Sequence, residues 1–128
     1  MTVKRVSVFI VFIIFMFLLI VSASPVFSAG PKNVPVKGMV TMVDLGAASC
    51  IPCKMMAPIL NKLEKRYQGK AAVVFIDLRY NRDAAQRFEV QAIPTQSFFD
   101  KNGREISRHI GFMSEEAIVA RLTSMGVR

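Results

Sequence analysis

Tryptophan is absent from the 128 residues, histidine occurs once, and there are two cysteines and two tyrosines. Each scarcity excludes something. A structural zinc site takes about four ligands, and two cysteines with the lone His109 fall short of that set. No cysteine lies near residues 20 to 30, which rules out a lipid-bearing N-terminal cysteine. Acids are few, nine against 17 lysines and arginines, for a net charge of +8. The cations are scattered (Lys62, Lys65, Lys70, Arg79, Arg87 and Arg108 among them) and read as a solvated surface. A preference for acidic partners or a membrane surface is the alternative. Nothing has the layout of a nucleic-acid module, and no repeat or low-complexity tract occurs beyond the first segment.

That first segment is apolar. Lys4 and Arg5 precede a run from Val6 to Val21 broken only by Ser7, and small residues with a proline follow from Ser22 to Ala29. A basic start, an apolar stretch and a small-residue zone are the layout of a secretory signal, with cleavage expected before Ala29. The competing reading is an uncleaved anchor, in which Val26 and Phe27 lengthen a run shorter than the roughly 20 residues of a comfortable span. Either reading exports the rest of the chain. The expected organisation is a signal or anchor at 1–28, a linker at 29–37 and one domain at 38–128. Without Lys4 and Arg5 the net charge is about +6.

The two cysteines stand three positions apart, in Ser49-Cys50-Ile51-Pro52-Cys53-Lys54. Thr41 to Leu45 before them reads as a buried strand, and Lys54 to Tyr67 after them as a helix. The pair therefore falls where a strand delivers the chain into a helix. Cys50 is placed at the helix N-terminus, where unpaired N–H groups and the dipole stabilise a thiolate. Cys53, one turn further in, is shielded. One accessible sulfur with a second in reach is what dithiol–disulfide exchange needs. A purely structural disulfide closing so short a loop stabilises little.

The remaining elements follow from periodicity and turn residues. Met56, Ile59, Leu60 and Leu63 make a core stripe, and Pro58 is expected to kink their helix. Ala71 to Leu78 is a second strand. Asn81-Arg82-Asp83 is expected to cap a short helix over Ala84 to Phe88. Gln96 to Phe99 and Arg104 to Ile110 form a hairpin across Asp100-Lys101-Asn102-Gly103. Ser114-Glu115-Glu116 opens a last helix with inner residues Ile118, Leu122 and Met125. The order β-α-β-α-β-β-α implies an α/β mixed sheet with helices on both faces. Four strands are expected, with a fifth, short edge strand open for Gly30 to Lys37. Asp44 inside the first strand is anomalous, because a carboxylate is costly to bury. Met55 and Met56 read as core filler rather than metal ligands, Lys54 as solvated and His109 as an ordinary strand residue.

The stretch from Cys50 to Leu60, with Lys54 and Pro58, resembles the active-site helix of the thioredoxin family. Ile93-Pro94-Thr95 resembles the family's cis-proline loop, Asp100 to Gly103 its hairpin, and Gly111 its glycine beside the active site. Asp44, six residues before Cys50, matches its buried acid. The resemblance runs from about Met39 to the C-terminus and implies a thioredoxin fold. Phe98-Phe99-Asp100 and Gly111-Phe112-Met113 further resemble the C-terminal domain of the bacterial transmembrane thiol–disulfide interchange protein. There are departures. Ser49 stands where an aromatic is usual, Ile51 where glycine is usual, and Val73 aligns with a lysine often paired with the acid. The family's first strand and helix have little room before Asp44.

The resemblance implies a thiol–disulfide oxidoreductase with Cys50 as nucleophile, Cys53 as resolving thiol and Asp44 as the resolving thiol's base. For Asp44 the alternative is a strand-end acid bonded to backbone. Ile93, Pro94, Thr95, Ile51, Pro52 and Gly111 are the expected substrate-contact residues, with Pro94 cis and the Ile93 backbone free to pair with an extended substrate. A trans Pro94 at a strand start is the alternative. No cofactor and no metal are implied. The implied partners are protein disulfides and a membrane-embedded thiol donor, the chain acting as an extracytoplasmic (periplasmic) monomer. Ile51-Pro52 carries no charge to stabilise a thiolate, so a reducing couple is expected, nearer roughly −270 mV than the roughly −120 mV of the strongest oxidants. A disulfide oxidase or isomerase is the alternative in the same class. A copper module using both cysteines and a methionine is the alternative in another.

Overall fold

A computed structural model of the chain describes residues 33–128, so the signal, anchor and cleavage expectations for residues 1–28 lie outside the described residues. Seven elements follow: β1 Val40–Gly46, α1 Ile51–Arg66, β2 Ala71–Asp77, α2 Arg82–Arg87, β3 Thr95–Phe99, β4 Glu105–Ile110 and α3 Glu115–Ser124. They form one four-stranded mixed sheet in the order β2-β1-β3-β4. β1 runs parallel to β2 and antiparallel to β3, and β4 returns antiparallel to β3. This is an α/β thioredoxin-like fold.

β1 lies at the centre of the sheet and every one of its residues is buried, which explains its near-continuous apolar run. Side chains alternate across a strand, and two separate cores follow from that. Val40 and Met42 pack with Val73 and Phe98 of the neighbouring strands beneath Met56, Leu60 and Leu63 of α1 and Ile118 and Leu122 of α3. Val43 and Leu45 pack on the opposite face with Ile76, Phe99, and Ala84 and Phe88 at α2. The register places Met42 opposite both Val73 and Phe98. Cross-strand pairs of this kind tie the sheet together on the α1 face.

Several local expectations are corrected. No strand precedes Val40 within residues 33–39, which form turns. Val34 is buried there against the α2-side core, and Gly38 N–H donates to Lys101 O at 2.9 Å. The α1 helix starts at Ile51, three residues before the expected Lys54, because Cys50 caps it and proline suits a first turn. Asn81 does not cap α2 with its side chain. Its Nδ2 donates back to Asp77 O at 3.0 Å instead. Met55 is not core filler but 54% exposed, whereas Met56 is fully buried. Among the described residues no helix is long and apolar enough to cross a membrane.

Candidate active site

Cys50 is the N-cap of α1, in extended backbone conformation, and its sulfur accepts the Cys53 N–H at 3.3 Å. Two other bonds hold the approach: Cys50 N–H donates to Ala47 O and Lys54 N–H to Cys50 O, both at 3.0 Å. Cys50 is half-buried and Cys53 only 4% exposed. The two sulfurs are joined in a disulfide, with Cα atoms 5.2 Å apart. The asymmetry between an accessible and a shielded sulfur is as the spacing predicts. Its cause is the cap position, which leaves Cys50 at the helix edge and turns Cys53 inward.

The floor beneath Cys53 is the end of β1. Residues 40, 42, 44 and 46 share the α1 face by alternation, and a carbon built on Gly46 would lie 3.0 Å from Cys53 Sγ. A side chain at this position would press on the first turn of α1, which glycine avoids. Beside this contact lies a cavity of about 150 Å³ lined by Ala47, Ala48, Cys53, Ala57 and Phe75 among others. Lys54 and Asn61 border the same cavity.

Asp44 sits two residues before Gly46 on the same face and is fully buried. Burial pushes its carboxyl up from 3.8 to about 6, with the hydrogen bond from Gln96 acting in the opposite sense. That bond runs from Gln96 Nε2 to Asp44 Oδ1 at 2.7 Å. Asp44 and Gln96 are directly opposed in the β1–β3 register. Asp44 Oδ2 has no hydrogen-bond partner among the described residues. The alternative of an acid tied to backbone is therefore not what is found. Val73, on the α1 face of β2, is buried and offers the carboxylate no charge.

The second loop leads into β3, whose Thr95 pairs with Leu45 at the same end of β1 as Gly46. The Ile93–Pro94 bond is cis, Pro94 and Thr95 are buried, and Thr95 Oγ1 donates to Ala92 O at 2.6 Å. Gly111 N–H donates to Pro94 O at 2.8 Å. Gly111 holds φ +101, a conformation that disfavours any side chain. Two residues on, Met113 N–H donates to Met56 Sδ at 3.3 Å, which ties this loop to α1 one turn beyond Cys53. Three apolar side chains remain exposed on these segments: Ile51 at 73%, Ile93 at 38% and Phe112 at 41%. Ile93 takes no part in the hydrogen-bond network of the described residues.

Sequence reasoning missed three residues. Gln96 is the partner of Asp44, and between Thr95 and Ser97 at the polar start of its strand it carries no distinguishing signal. Gly46 lies just past the apolar strand, and nothing in its local sequence marks the contact it makes with Cys53. Asp77 ends β2 and accepts the Ala48 N–H at 3.3 Å while pairing with Arg79 at 2.7 Å, so it anchors the loop before Cys50. His109 pairs with Gln96 in β4 and has Nε2 3.1 Å from Phe112 O, a strand residue as expected. Lys54 is exposed, also as expected. Among the described residues no cluster of three or more His, Cys, Asp or Glu could hold a metal.

The thioredoxin family model matches residues 32–124. The thioredoxins of Staphylococcus aureus strains Mu50, MW2 and N315 are each 40% identical over 81 residues, covering 63% of this chain and 77% of the relative.

Proposed function

The chain belongs to the thioredoxin family and is a thiol–disulfide oxidoreductase with a Cys50–Cys53 active site; on that premise we propose that it works outside the cytoplasm as a reductant of protein disulfides. The observation that carries the reading is the unequal pair, a half-buried Cys50 capping α1 and a Cys53 buried against Gly46. The helix N-terminus stabilises negative charge on Cys50. Nothing at Ile51 or Pro52 adds to that stabilisation, which favours a reducing couple.

The Cys50 thiolate attacks one sulfur of a substrate disulfide, and the other sulfur leaves with the electron pair of the broken bond. Cys53 then gives up its proton, attacks Cys50 Sγ and expels the second substrate sulfur. Two electrons pass to the substrate, which leaves as two thiols, and the chain ends as the Cys50–Cys53 disulfide. Asp44 is the base for the Cys53 proton. Its raised proton affinity, about 6, suits exchange near neutrality. Ile51, Pro52, Ile93 and Gly111 form the rim that receives the substrate, and the buried Pro94 and Thr95 hold the loop that presents Ile93. The Ile93 backbone, unengaged within the chain, pairs with the extended segment around the substrate disulfide.

The extracytoplasmic placement rests on residues 4 to 29, whose basic start, apolar run and small-residue end have the layout of an export signal. An exported reductant is spent after one turnover unless it is fed. A membrane-embedded thiol donor completes the cycle, and the chain acts as a monomer between donor and substrate.

The reduction potential of the chain, equilibrated against glutathione and dithiothreitol buffers, tests the direction of transfer. A value near roughly −270 mV supports the reductant. A value more than about 100 mV higher makes the chain an oxidase or isomerase. Failure to find a reversible couple removes the redox reading altogether and turns attention to Cu(I) binding. Export is tested separately, by whether the cysteines react with a membrane-impermeant thiol reagent in intact cells after reduction.

A further inference from the structure

Packing does not explain the amide of Gln96. The residue is fully buried in the centre of the sheet, and its Oε1 has no hydrogen-bond partner among the described residues. An apolar side chain of similar volume would fill the same space without an orphaned carbonyl. The single bond its side chain makes runs to Asp44 Oδ1, and the partner it leaves open is Asp44 Oδ2. We propose that Gln96 is a positioning residue of the thiol–disulfide reaction: its amide holds Asp44 Oδ1 as a permanent acceptor and so presents Oδ2 as the atom that takes the Cys53 proton. The proposal rests on the reading of Asp44 as the base.

The proton balance is simple. When Cys53 S–H ionises, the proton passes to Oδ2, and Oδ1 becomes the carbonyl oxygen of the acid while still accepting from Nε2. The electron pair on Cys53 Sγ forms the bond to Cys50 Sγ, and the departing substrate sulfur keeps the pair of the broken bond. The proton on Oδ2 is then released to that thiolate. Without the amide the carboxylate is free to turn about its own axis, and neither oxygen is fixed toward the thiol. The amide also favours the ionised form, which burial alone opposes.

Among the described residues no other group does this work. On β2, Val73 and Phe75 face the same side and are apolar. On α1, Cys53 is the titratable group turned inward, while Lys54 is exposed. On α3, Ile118 and Leu122 fill the core and the acids Glu115 and Glu116 lie in the first turn. On β4, His109 is opposite Gln96 with its ring engaged at Phe112 O. Asp44 has no ionic partner among the described residues; burial and the Gln96 bond alone set its proton affinity.

The test follows the pH dependence of the resolution step, release of substrate from its mixed disulfide with Cys50, in the full chain held in detergent. Asp44→Asn is expected to slow that step about a hundredfold. Gln96→Met, which keeps volume and removes the amide, is expected to raise the proton affinity of Asp44 about tenfold and carry the midpoint of the profile up with it. A purely structural role would lower stability and leave the midpoint in place. If Asp44→Asn leaves the rate unchanged, the base assignment fails and takes this inference with it. If Asp44→Asn slows the step but Gln96→Met leaves the midpoint unmoved, the inference alone is overturned. Should Gln96→Met not fold, the unsubstituted chain decides: the Gln96 side-chain N–H resonances must titrate with the Asp44 carboxyl, and resonances flat through that titration reject the proposal.

Discussion

A side-chain carbon on Gly46 would stand 3.0 Å from the Sγ of Cys53 and 3.3 Å from its Cβ. The backbone of Gly46 has no positive φ, so alanine is sterically allowed there in itself. The conflict is with the cysteine. In the thiol form Cys53 Sγ can rotate aside, but in the disulfide it is tethered to Cys50. Gly46→Ala is therefore expected to destabilise the oxidised form more than the reduced one. With an overpacking cost of about 1–3 kcal/mol, the reduction potential rises by about 20 to 60 mV. An unchanged potential would show that the first turn of α1 moves as a unit to accommodate the methyl group.

Asp44 makes the folded state sensitive to pH. Its carboxyl lies at about 6 in the fold because of burial, against 3.8 when exposed. Between those values the folded state binds more protons than the unfolded one, so stability falls as pH rises from about 4 to about 6 and is level beyond. The full penalty is about 3 kcal/mol. Asp44→Asn, which can still accept from Gln96, is expected to stabilise the chain by up to that amount at pH 7 and by little below pH 4. Denaturant melts at the two pH values check this; equal effects at both would mean that Asp44 is not the titrating group.

The two cysteines should fail differently. Cys50→Ser removes the nucleophile, and no mixed disulfide forms with a disulfide-bonded substrate protein. Cys53→Ser leaves the nucleophile and removes the resolving thiol, so the mixed disulfide accumulates as a covalent adduct visible in a non-reducing gel. An adduct with Cys50→Ser and none with Cys53→Ser would exchange the two roles, against the burial of Cys53.

Asp77 anchors the loop before Cys50 through the Ala48 N–H. The hydrogen bond from the Arg79 side chain, with smaller help from the Arg79 and Ala48 backbone N–H groups, holds its carboxyl down at about 2. The stability it contributes is present above about pH 4 and is lost as pH falls through about 2. The pair is partly solvated, with 42% of the Arg79 side chain exposed, so its worth lies under about 1 kcal/mol. Asp77→Asn should cost that small amount at neutral pH. It should also speed hydrogen exchange at Ala48, the readout that separates loop anchoring from global stability.

The order of strands and helices along the chain and the place of the cysteine pair at a strand-to-helix turn were legible in the sequence, because each is set by local periodicity and by residues with one strong preference. The order of the strands within the sheet came from the structure. Val40 to Leu45 is nearly continuous apolar, with Thr41 and Asp44 the exceptions, and reads as a strand covered on both faces. Gly111 and the Asp100–Gly103 turn marked breaks that the backbone respects. Where the local signal was weak, expectation and structure part. Asn81 had a better partner in Asp77 O than in the helix it precedes, and Met55 fell just outside the buried stripe that Met56 occupies.

The chemistry of the site divides along the same line. The sequence alone determined that Cys50 and Cys53 lie within disulfide reach, that Cys50 meets the start of a helix, and that an acid stands six residues upstream. These are separations along one chain segment, and the geometry of a strand and a helix converts them directly into positions. Only the tertiary structure decided what surrounds them. Gln96 lies 52 positions from Asp44 and meets it through the antiparallel register of β1 and β3. The contact between Gly46 and Cys53 depends on how closely α1 settles on the sheet, which the packing of Met56, Leu60 and Leu63 sets. A buried acid's proton affinity belongs to its neighbours across the sheet, and strand pairing, not sequence distance, chooses those neighbours.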